Sequence, residues 1–222
     1  MRNGINWPVF GPELITAIAE TLLMVGVALA AAGVFGTALG VLLYVTRRGG
    51  LLANPVLFNV VNVVINIIRP IPFIIFITLM APVTYALVRA SFGTPAIIVP
   101  LAVAASVAFA RIVEQNLVAI DPGVIEAARA MGASRWRIIW SLLVPEALGP
   151  LILGFTFMFV AIMDASAASA LIAGGGLGEL AIVQGYNRFN FAVIAVCVLT
   201  IVLIVQIGQF VGNRLARRAL RH

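Results

Sequence analysis

The side chains best suited to binding chemistry lie in one polar insert, at about residues 119–145, between two strongly apolar regions. This insert contains a glutamate and three arginines, namely Glu126, Arg129, Arg135 and Arg137. Charged groups at the rim of a surface fix the register of a bound partner through ion pairs. We therefore interpret the insert as a docking element, because a polar segment between membrane spans has no packing reason to be there.

A short helix is predicted within the insert. Asp121-Pro122 marks its start, because aspartate caps free backbone N–H groups and proline suits the first helical position. Gly132 suits the left-handed conformation that ends many helices. A helix of about ten residues, over 122–131, cannot cross a bilayer, since crossing takes about 20 residues. Ser134 can cap a second helix, which we expect to end before Pro145.

Small side chains on the first helix favour close approach to a groove on a partner. We expect Ala127, Ala128 and Ala130 to be presented there, together with Ile125 and Met131. The alternative is a surface hairpin that is held only by its own membrane contacts.

Several kinds of catalytic chemistry are excluded by the residue types that the chain lacks. All fourteen basic residues are arginines, so the lysine with which a P-loop reaches phosphates is absent. Any ATP chemistry must therefore come from a partner. The single cysteine, Cys197, cannot form an intrachain disulfide. The only histidine, His222, cannot build a metal site or a catalytic triad, so we expect no metal and no cofactor in this chain.

The composition indicates an all-α membrane protein with a single helix bundle over residues 1–222. Hydrophobic residues make up 63% of the chain and charged residues 10%, far below the roughly 25% charged residues of soluble domains. We expect an irregular lead over 1–12, a helix from Glu13 onward, and five membrane spans. The spans are predicted at about 21–45, 55–87, 96–113, 147–173 and 191–211.

The arginines predict the orientation of these spans. Nine of them fall in loops or the tail on one side of the membrane, and three fall on the other. The positive-inside bias then places the insert and the C-terminus in the cytoplasm and the N-terminus outside. The same clustering accounts for the net positive charge, so we expect contact with the lipid bilayer and none with nucleic acid.

Polar residues within the spans are candidates for lining a transport pathway. Asp164 is the only acid clearly within a span, which indicates a function because charge in hydrocarbon is costly. Asn66 continues a helical stripe from Asn59 and Asn62 that should face protein or water. The full candidate set is Asp164, Ser166, Ser169, Asn66 and Arg69.

Arg69-Pro70-Ile71-Pro72 should bend the second span, because prolines remove backbone donors. Arg69 then either anchors the cytoplasmic end of a tilted span or faces a polar cavity, and we favour the anchor. Elsewhere, Gly36 and Gly40 should allow close helix packing. Arg111 and Glu114, one turn apart, can form an ion pair.

The insert resembles the EAA loop of ABC importer permeases. The matching residues are Glu126-Ala127-Ala128, Gly132, Leu142, Val144 and Pro145, although isoleucine and leucine are usual where Leu142 and Val144 stand here. Further stretches resemble the methionine-uptake permeases of this family: Tyr44-Val45-Thr46-Arg47, Arg69-Pro70-Ile71-Pro72-Phe73-Ile74, Ala110-Arg111-Ile112-Val113-Glu114 and Gly175-Gly176-Leu177-Gly178. Arg69-Pro70 departs from the Arg-Ser of that type.

The resemblance implies a type I ABC importer permease that moves D- or L-methionine across the bacterial inner membrane into the cytoplasm by alternating access. Two copies of the chain would form the pathway, and two cytoplasmic ATPase subunits would carry ATP and Mg. A periplasmic or lipid-anchored binding protein would deliver the substrate. The ATPase-docking residues would be Glu126, Ala127, Ala128, Arg129, Met131, Gly132 and Pro145.

Other functions remain open on the sequence. Another small or polar amino acid could be the substrate of such a permease. A standalone channel or proton-coupled carrier could instead use Asp164 and Arg69 for ion coupling. An integral membrane enzyme is disfavoured, because the chain has no histidine cluster, acidic metal motif or nucleophile constellation.

Overall fold

A computed structural model describes residues 4–220, apart from the side chains of residues 169 and 171. Within this range every regular element is helical. The helices are α1 (Trp7–Thr46), α2 (Pro55–Ile68), α3 (Phe73–Val88), α4 (Thr94–Val118), α5 (Pro122–Ala130), α6 (Arg135–Ala167), α7 (Gly176–Leu180) and α8 (Phe191–Ala219). The expected all-α architecture is confirmed.

Four of these helices, α1, α4, α6 and α8, are long and apolar enough to cross a membrane. The second predicted span is a broken pair, because α2 and α3 meet at an angle of 116° across residues 69–72. Proline removes a backbone donor and blocks helix continuation, which explains the break at Pro70 and Pro72. The chain thus has five spans if the broken pair is taken as one.

The first helix begins earlier than the sequence indicates. It starts at Trp7, so the expected irregular lead over 1–12 is wrong for the described residues from Trp7 onward. Pro8 lies in the first turn, where no intrahelical donor is needed, and Pro12 forgoes one hydrogen bond. Phe10 is buried in a cluster with Leu177 and Val193, and this packing stabilises the added turns.

The fourth span also differs from its prediction. The helix that begins at Arg135 does not end before Pro145, since α6 continues without interruption to Ala167. A wider, π-type turn over Ile139–Leu143 precedes Pro145 directly. Such a turn moves the preceding carbonyl groups away from the proline ring, so the helix is not broken.

Glycines determine how closely the helices pack. An added Cβ at Gly36 or Gly40 of α1 would overlap the backbone of α4, so this pair allows the close approach that its spacing predicts. Along α6 and α8, which run antiparallel, Gly149 faces Leu220 and Gly212 faces Thr156. We call the end of the bundle that carries α5 the insert end, and the end that carries Gly174–Gly178 the glycine-loop end.

Candidate functional site

Within the insert, the first helix and the start of the second agree with their predictions. Asp121 caps α5, and its Oδ1 accepts a hydrogen bond from the Gly123 N–H at 2.8 Å. Gly132 ends the turn after α5 with a φ of 78°, a conformation that glycine adopts without strain. Ser134 caps the start of α6 by accepting from the Arg137 N–H at 3.3 Å. The short helix is therefore defined by its own caps.

Most of the predicted docking residues are exposed. Met131 is 81% exposed, and Trp136 on the adjoining turn of α6 is 63% exposed. The other exposed members of the predicted set are Glu126, Ala127, Arg129, Gly132 and Pro145. Ala128 differs, because it is only 8% exposed and belongs to the same buried cluster as Leu117. The expectation that Ala128 is presented to a partner is therefore wrong, since its face of α5 packs on the bundle.

α5 faces the end of α1 and the loop that follows it. A cavity of about 140 Å³ lies between them, and Tyr44, Arg47, Ile125 and Glu126 are among its lining residues. The guanidinium of Arg47 stacks over the Tyr44 ring, 4.3 Å from its centroid. Because α5 and the end of α1 line the same cavity and α5 is linked directly to α6, we expect a displacement of α5 to act on both long helices.

A polar cluster joins α2 to α4 near the insert end. Arg111 forms the predicted ion pair with Glu114, with 2.5 Å between Nη1 and Oε2. Its other terminal nitrogen, Nη2, donates to Oδ1 of Asn62 at 2.8 Å and to Oδ1 of Asn66 at 2.7 Å. The asparagine stripe thus faces protein at these two residues. The sequence predicted the pair of Arg111 with Glu114, but not that Asn62 and Asn66 of α2 meet Arg111.

Arg69 borders a cavity of about 200 Å³ between α3, α4 and α6. Leu101 and Ala108 line this cavity, and they lie in the middle of α4. Arg69 is exposed at the break between α2 and α3, level with the middle of α4, and this position disfavours the anchor role. The alternative was a polar cavity, but all the other residues that line this cavity are apolar. The role of Arg69 stays a prediction. The opposite wall includes Met158 and Ala165 of α6, the segment that carries Asp164.

The other candidate pathway residues do not share one surface. Asp164 is exposed on α6, and no ion pair to it occurs within residues 4–220. Ser166 is 3% exposed and donates to the Met163 carbonyl of its own helix at 2.7 Å. The Ser169 side chain lies outside the described residues. Their role in lining a pathway stays a prediction.

Residues 36–221 match the family of binding-protein-dependent transport system inner membrane components. The chain belongs to this family. It is 39% identical to the probable D-methionine transport system permease protein MetI of Vibrio cholerae, over 92% of this chain and 91% of the relative. It is 40% identical to the methionine import system permease protein MetP of Bacillus subtilis, over 78% of each chain.

A solved structure described as inward-facing conformations of the MetNI methionine ABC transporter is also similar. Its matching chain is 39% identical, with a TM-score of 0.92, and the alignment covers 97% of this chain and 99% of that one. The expected permease fold is therefore confirmed, and the protein is a multi-pass membrane permease. The predicted resemblance to this family, first based on the EAA loop, is confirmed as well.

At its glycine-loop end the permease has polar contacts that the sequence did not predict. Glu20 Oε2 accepts from the Gly176 N–H at 2.7 Å, and Thr21 Oγ1 accepts from the Leu177 N–H at 2.9 Å. Glu179 Oε2 accepts from the Gly175 N–H at 2.6 Å. The bonds to Glu20 and Thr21 attach the loop to α1, whereas the bond to Glu179 lies within the loop segment. The only signal in the sequence was the acid at position 20 beside an apolar helix.

Proposed function

We propose that this chain is the membrane-spanning subunit of an ATP-driven importer, and that methionine is its substrate. Two copies would enclose the pathway, and each would bind one ATPase subunit that carries ATP and Mg. The insert end would then be cytoplasmic, with the C-terminus inside and the N-terminus outside, in a bacterial inner membrane. A periplasmic or lipid-anchored binding protein would deliver methionine to the glycine-loop end.

The observation that carries this proposal is α5. It is a short, separately capped helix whose exposed residues form a surface beyond the spans, while Ala128 seats it on the bundle. Relatives that cover most of the chain are described as methionine permeases, which supports the substrate. The similar structure is of a methionine ABC transporter, which supports an ATPase partner.

The mechanism follows from where α5 sits. When the two ATPase subunits close on ATP, α5 would move as a rigid lever and displace the end of α1 and the start of α6. The spans would then open outward, and hydrolysis would return them to the inward-facing state. The direction of transport comes only from the different affinities of the partners for the outward-open and inward-facing states.

The pathway would lie between the two copies. Asp164 is exposed on the single chain, and a carboxylate facing hydrocarbon would be costly, so a second copy or a water-filled path should cover it. Arg69 and the cavity beside α6 would border the same region. This chain supplies no catalytic group to ATP hydrolysis in the proposal, because the ATPase is a separate subunit.

A bulky substitution on the exposed face of α5 tests the docking surface. We expect Ala127→Trp to abolish co-purification with the ATPase while membrane insertion is unchanged, because the added ring prevents close approach to a groove. Ala86→Trp, at an exposed alanine of α3 near the glycine-loop end, is the matched control and should co-purify normally. Normal ATPase binding by Ala127→Trp would contradict the proposal.

Reconstitution tests the substrate and the need for ATP. The permease, the ATPase and the binding protein in proteoliposomes should show ATPase activity that methionine stimulates more than other small amino acids do. The permease alone should not transport. Stimulation by a different amino acid would overturn the substrate, and transport by the chain alone would indicate a channel or a proton-coupled carrier.

A further inference from the structure

The cavity of about 200 Å³ between α3, α4 and α6 has a single charged lining residue, Arg69, and every other residue in its lining is apolar. The side chain of Arg69 makes no ion pair and no hydrogen bond within residues 4–220. A charge in apolar surroundings is costly unless it is paired, so an unpaired arginine at this place indicates a function. We call this space the Arg69 cavity.

The break between α2 and α3 adds backbone donors at the same place. Phe73, the first residue of α3, lines the cavity, and no side chain caps the helix there. The Ile75 and Phe76 N–H groups donate to the Pro72 carbonyl, whereas those of Phe73 and Ile74 have no backbone acceptor within residues 4–220. Free N–H groups at a helix start carry partial positive charge. Together with the guanidinium, they favour an anionic group such as a carboxylate.

The size of the Arg69 cavity limits the rest of the ligand. An apolar protein cavity of about 150 Å³ stays dry and holds one benzene molecule. The Arg69 cavity is larger than this, and an unbranched aliphatic or thioether side chain of an amino acid is smaller than benzene. Met158 lies in the wall, and its flexible side chain can adapt to the shape of such a ligand. A small amphiphile with one carboxylate and one short apolar chain therefore fits the cavity.

The lining also indicates what the cavity does not recognise. No carboxylate lines it, so the ammonium group of a bound amino acid has no ionic partner there and stays at the opening. The ligand is then held at two points only, by its carboxylate and by its side chain. Two points of attachment do not distinguish mirror images, because the remaining groups on the α-carbon can exchange places. The cavity should therefore accept D- and L-amino acids alike.

We propose that the Arg69 cavity is a binding site for the transported amino acid within the permease. The guanidinium of Arg69 would form a bidentate pair with the carboxylate, and the apolar walls would enclose an unbranched apolar side chain. Each copy of the chain would carry one such site. This inference rests on the proposed function, because it names the place at which the substrate is held on its way through the chain.

Photocrosslinking tests the location of the site. Photo-methionine, which has a diazirine in its side chain, is irradiated with the permease–ATPase complex in nanodiscs without the binding protein. We expect it to attach to peptides of α4 and α6 that line the cavity. Excess D-methionine, L-methionine or norleucine should prevent this attachment, whereas methioninol, which has no carboxylate, should not. Absence of the attachment would overturn the inference. Attachment that methionine does not prevent would indicate a lipid chain in the cavity and would also overturn it.

Substitutions of Arg69 test the role of the charge. Arg69→Met should reduce methionine-sensitive labelling about 10- to 100-fold, as expected for the loss of a hydrogen-bonded charge partner. Arg69→Lys keeps the charge but not the planar fork, so its labelling should be intermediate. Arg89→Met, at an exposed arginine after the other end of α3, is the matched control and should label like wild type. Normal labelling of Arg69→Met would overturn the assignment of the carboxylate.

Two alanines of α4 test the apolar walls. Ala104 lines the Arg69 cavity, whereas Ala102 lines a separate apolar cavity between α1 and α4, and both are half-buried. Ala104→Leu should reduce labelling several-fold because it fills the space of the ligand, and it should not lower the unfolding temperature. Ala102→Leu should label normally. Equal losses in the two variants would show that α4 is distorted in general and would overturn the assignment of the walls.

Transport by the assembled system separates this inference from the proposed function. If proteoliposomes with the ATPase and the binding protein import methionine while the Arg69 cavity is not labelled, only the inference about the cavity fails. If methionine is not imported and does not stimulate the ATPase, the proposed function fails, whichever compound the cavity binds.

Discussion

The two ends of the bundle are held by different kinds of polar contact. At the insert end, the side chain of Arg111 binds three other side chains and so fixes α2 against α4. At the glycine-loop end, Glu20 and Thr21 of α1 bind backbone N–H groups of a loop that has few side chains of its own. One end depends on a charge network, whereas the other depends on side-chain acceptors placed opposite buried backbone N–H groups.

The difference shows which parts of the permease can move separately. Gly36 and Gly40 pack α1 closely on α4, so these two helices form a common support. The short helix α2 and the glycine loop are each attached to that support by a buried apolar side chain, Ile65 and Leu177 respectively, and by a few directional bonds. Such bonds can be exchanged without disrupting the packed core, which a switch between two states requires. Breaking each attachment in turn should therefore have graded effects.

The largest effect is expected for Arg111→Met. This substitution leaves Glu114, Asn62 and Asn66 without their shared donor, and an uncompensated charge in a part-buried site costs about 3 kcal/mol. The measurement is the thermal unfolding of the purified permease in detergent. Arg217→Met, at an exposed arginine near the end of α8, should change stability by less than about 0.5 kcal/mol. Equal effects of the two variants would show that the cluster does not hold α2.

The insert end was also the end that the sequence predicted best. The caps at Asp121, Ser134 and Gly132 depend on residues within three positions of each other, so residue type and spacing carry the information. Local patterns do not predict that α6 continues past Pro145, because a π-type turn directly before the proline lets the helix accommodate it. The burial of Ala128 depends on how α5 docks on the bundle, which is also tertiary information.

The glycine-loop end could not be predicted in the same way. Glu20 and Gly176 are 156 positions apart, and the donor is a backbone N–H that nearly every residue has. The residue types therefore cannot show that Glu20 binds the Gly176 N–H. The sequence singled out Gly175-Gly176-Leu177-Gly178 only by its resemblance to the methionine-uptake permeases. Similarly, Asn62 and Asn66 were visible as polar residues but were not paired with Arg111.

The second largest effect is expected for Glu20→Ala. The Gly176 N–H loses its charged acceptor, and a hydrogen bond to a charged group contributes about 1.5–3 kcal/mol. Hydrogen exchange of peptides that cover residues 174–180 should become about 10- to 100-fold faster. Glu20→Gln keeps an acceptor oxygen, so its exchange rate should lie between those of wild type and Glu20→Ala. Glu146→Ala, at an exposed glutamate of α6, should leave this exchange unchanged.

A smaller effect is expected for Thr21→Val. Valine has nearly the same shape as threonine but leaves the buried Leu177 N–H without its acceptor, which costs about 1–2 kcal/mol. Thr21→Ser restores the hydroxyl and should recover most of the lost unfolding temperature. If valine and serine behave alike at position 21, the packing of the side chain and not its hydrogen bond holds the loop.

The smallest effect is expected for Arg47→Gln, which removes the stacking of a guanidinium on Tyr44 beside α5. A partly exposed cation–π contact contributes about 0.5–1 kcal/mol, so the unfolding temperature should fall only slightly. Arg47→Lys keeps the charge but loses the planar stacking, and it should behave more like glutamine than like arginine. If Arg47→Gln instead destabilised the permease as much as Arg111→Met, the seat of α5 would be a second strong attachment. The insert end would then be the rigid end of the bundle. Only the attachment of the glycine loop would then be weak enough to be exchanged between two states.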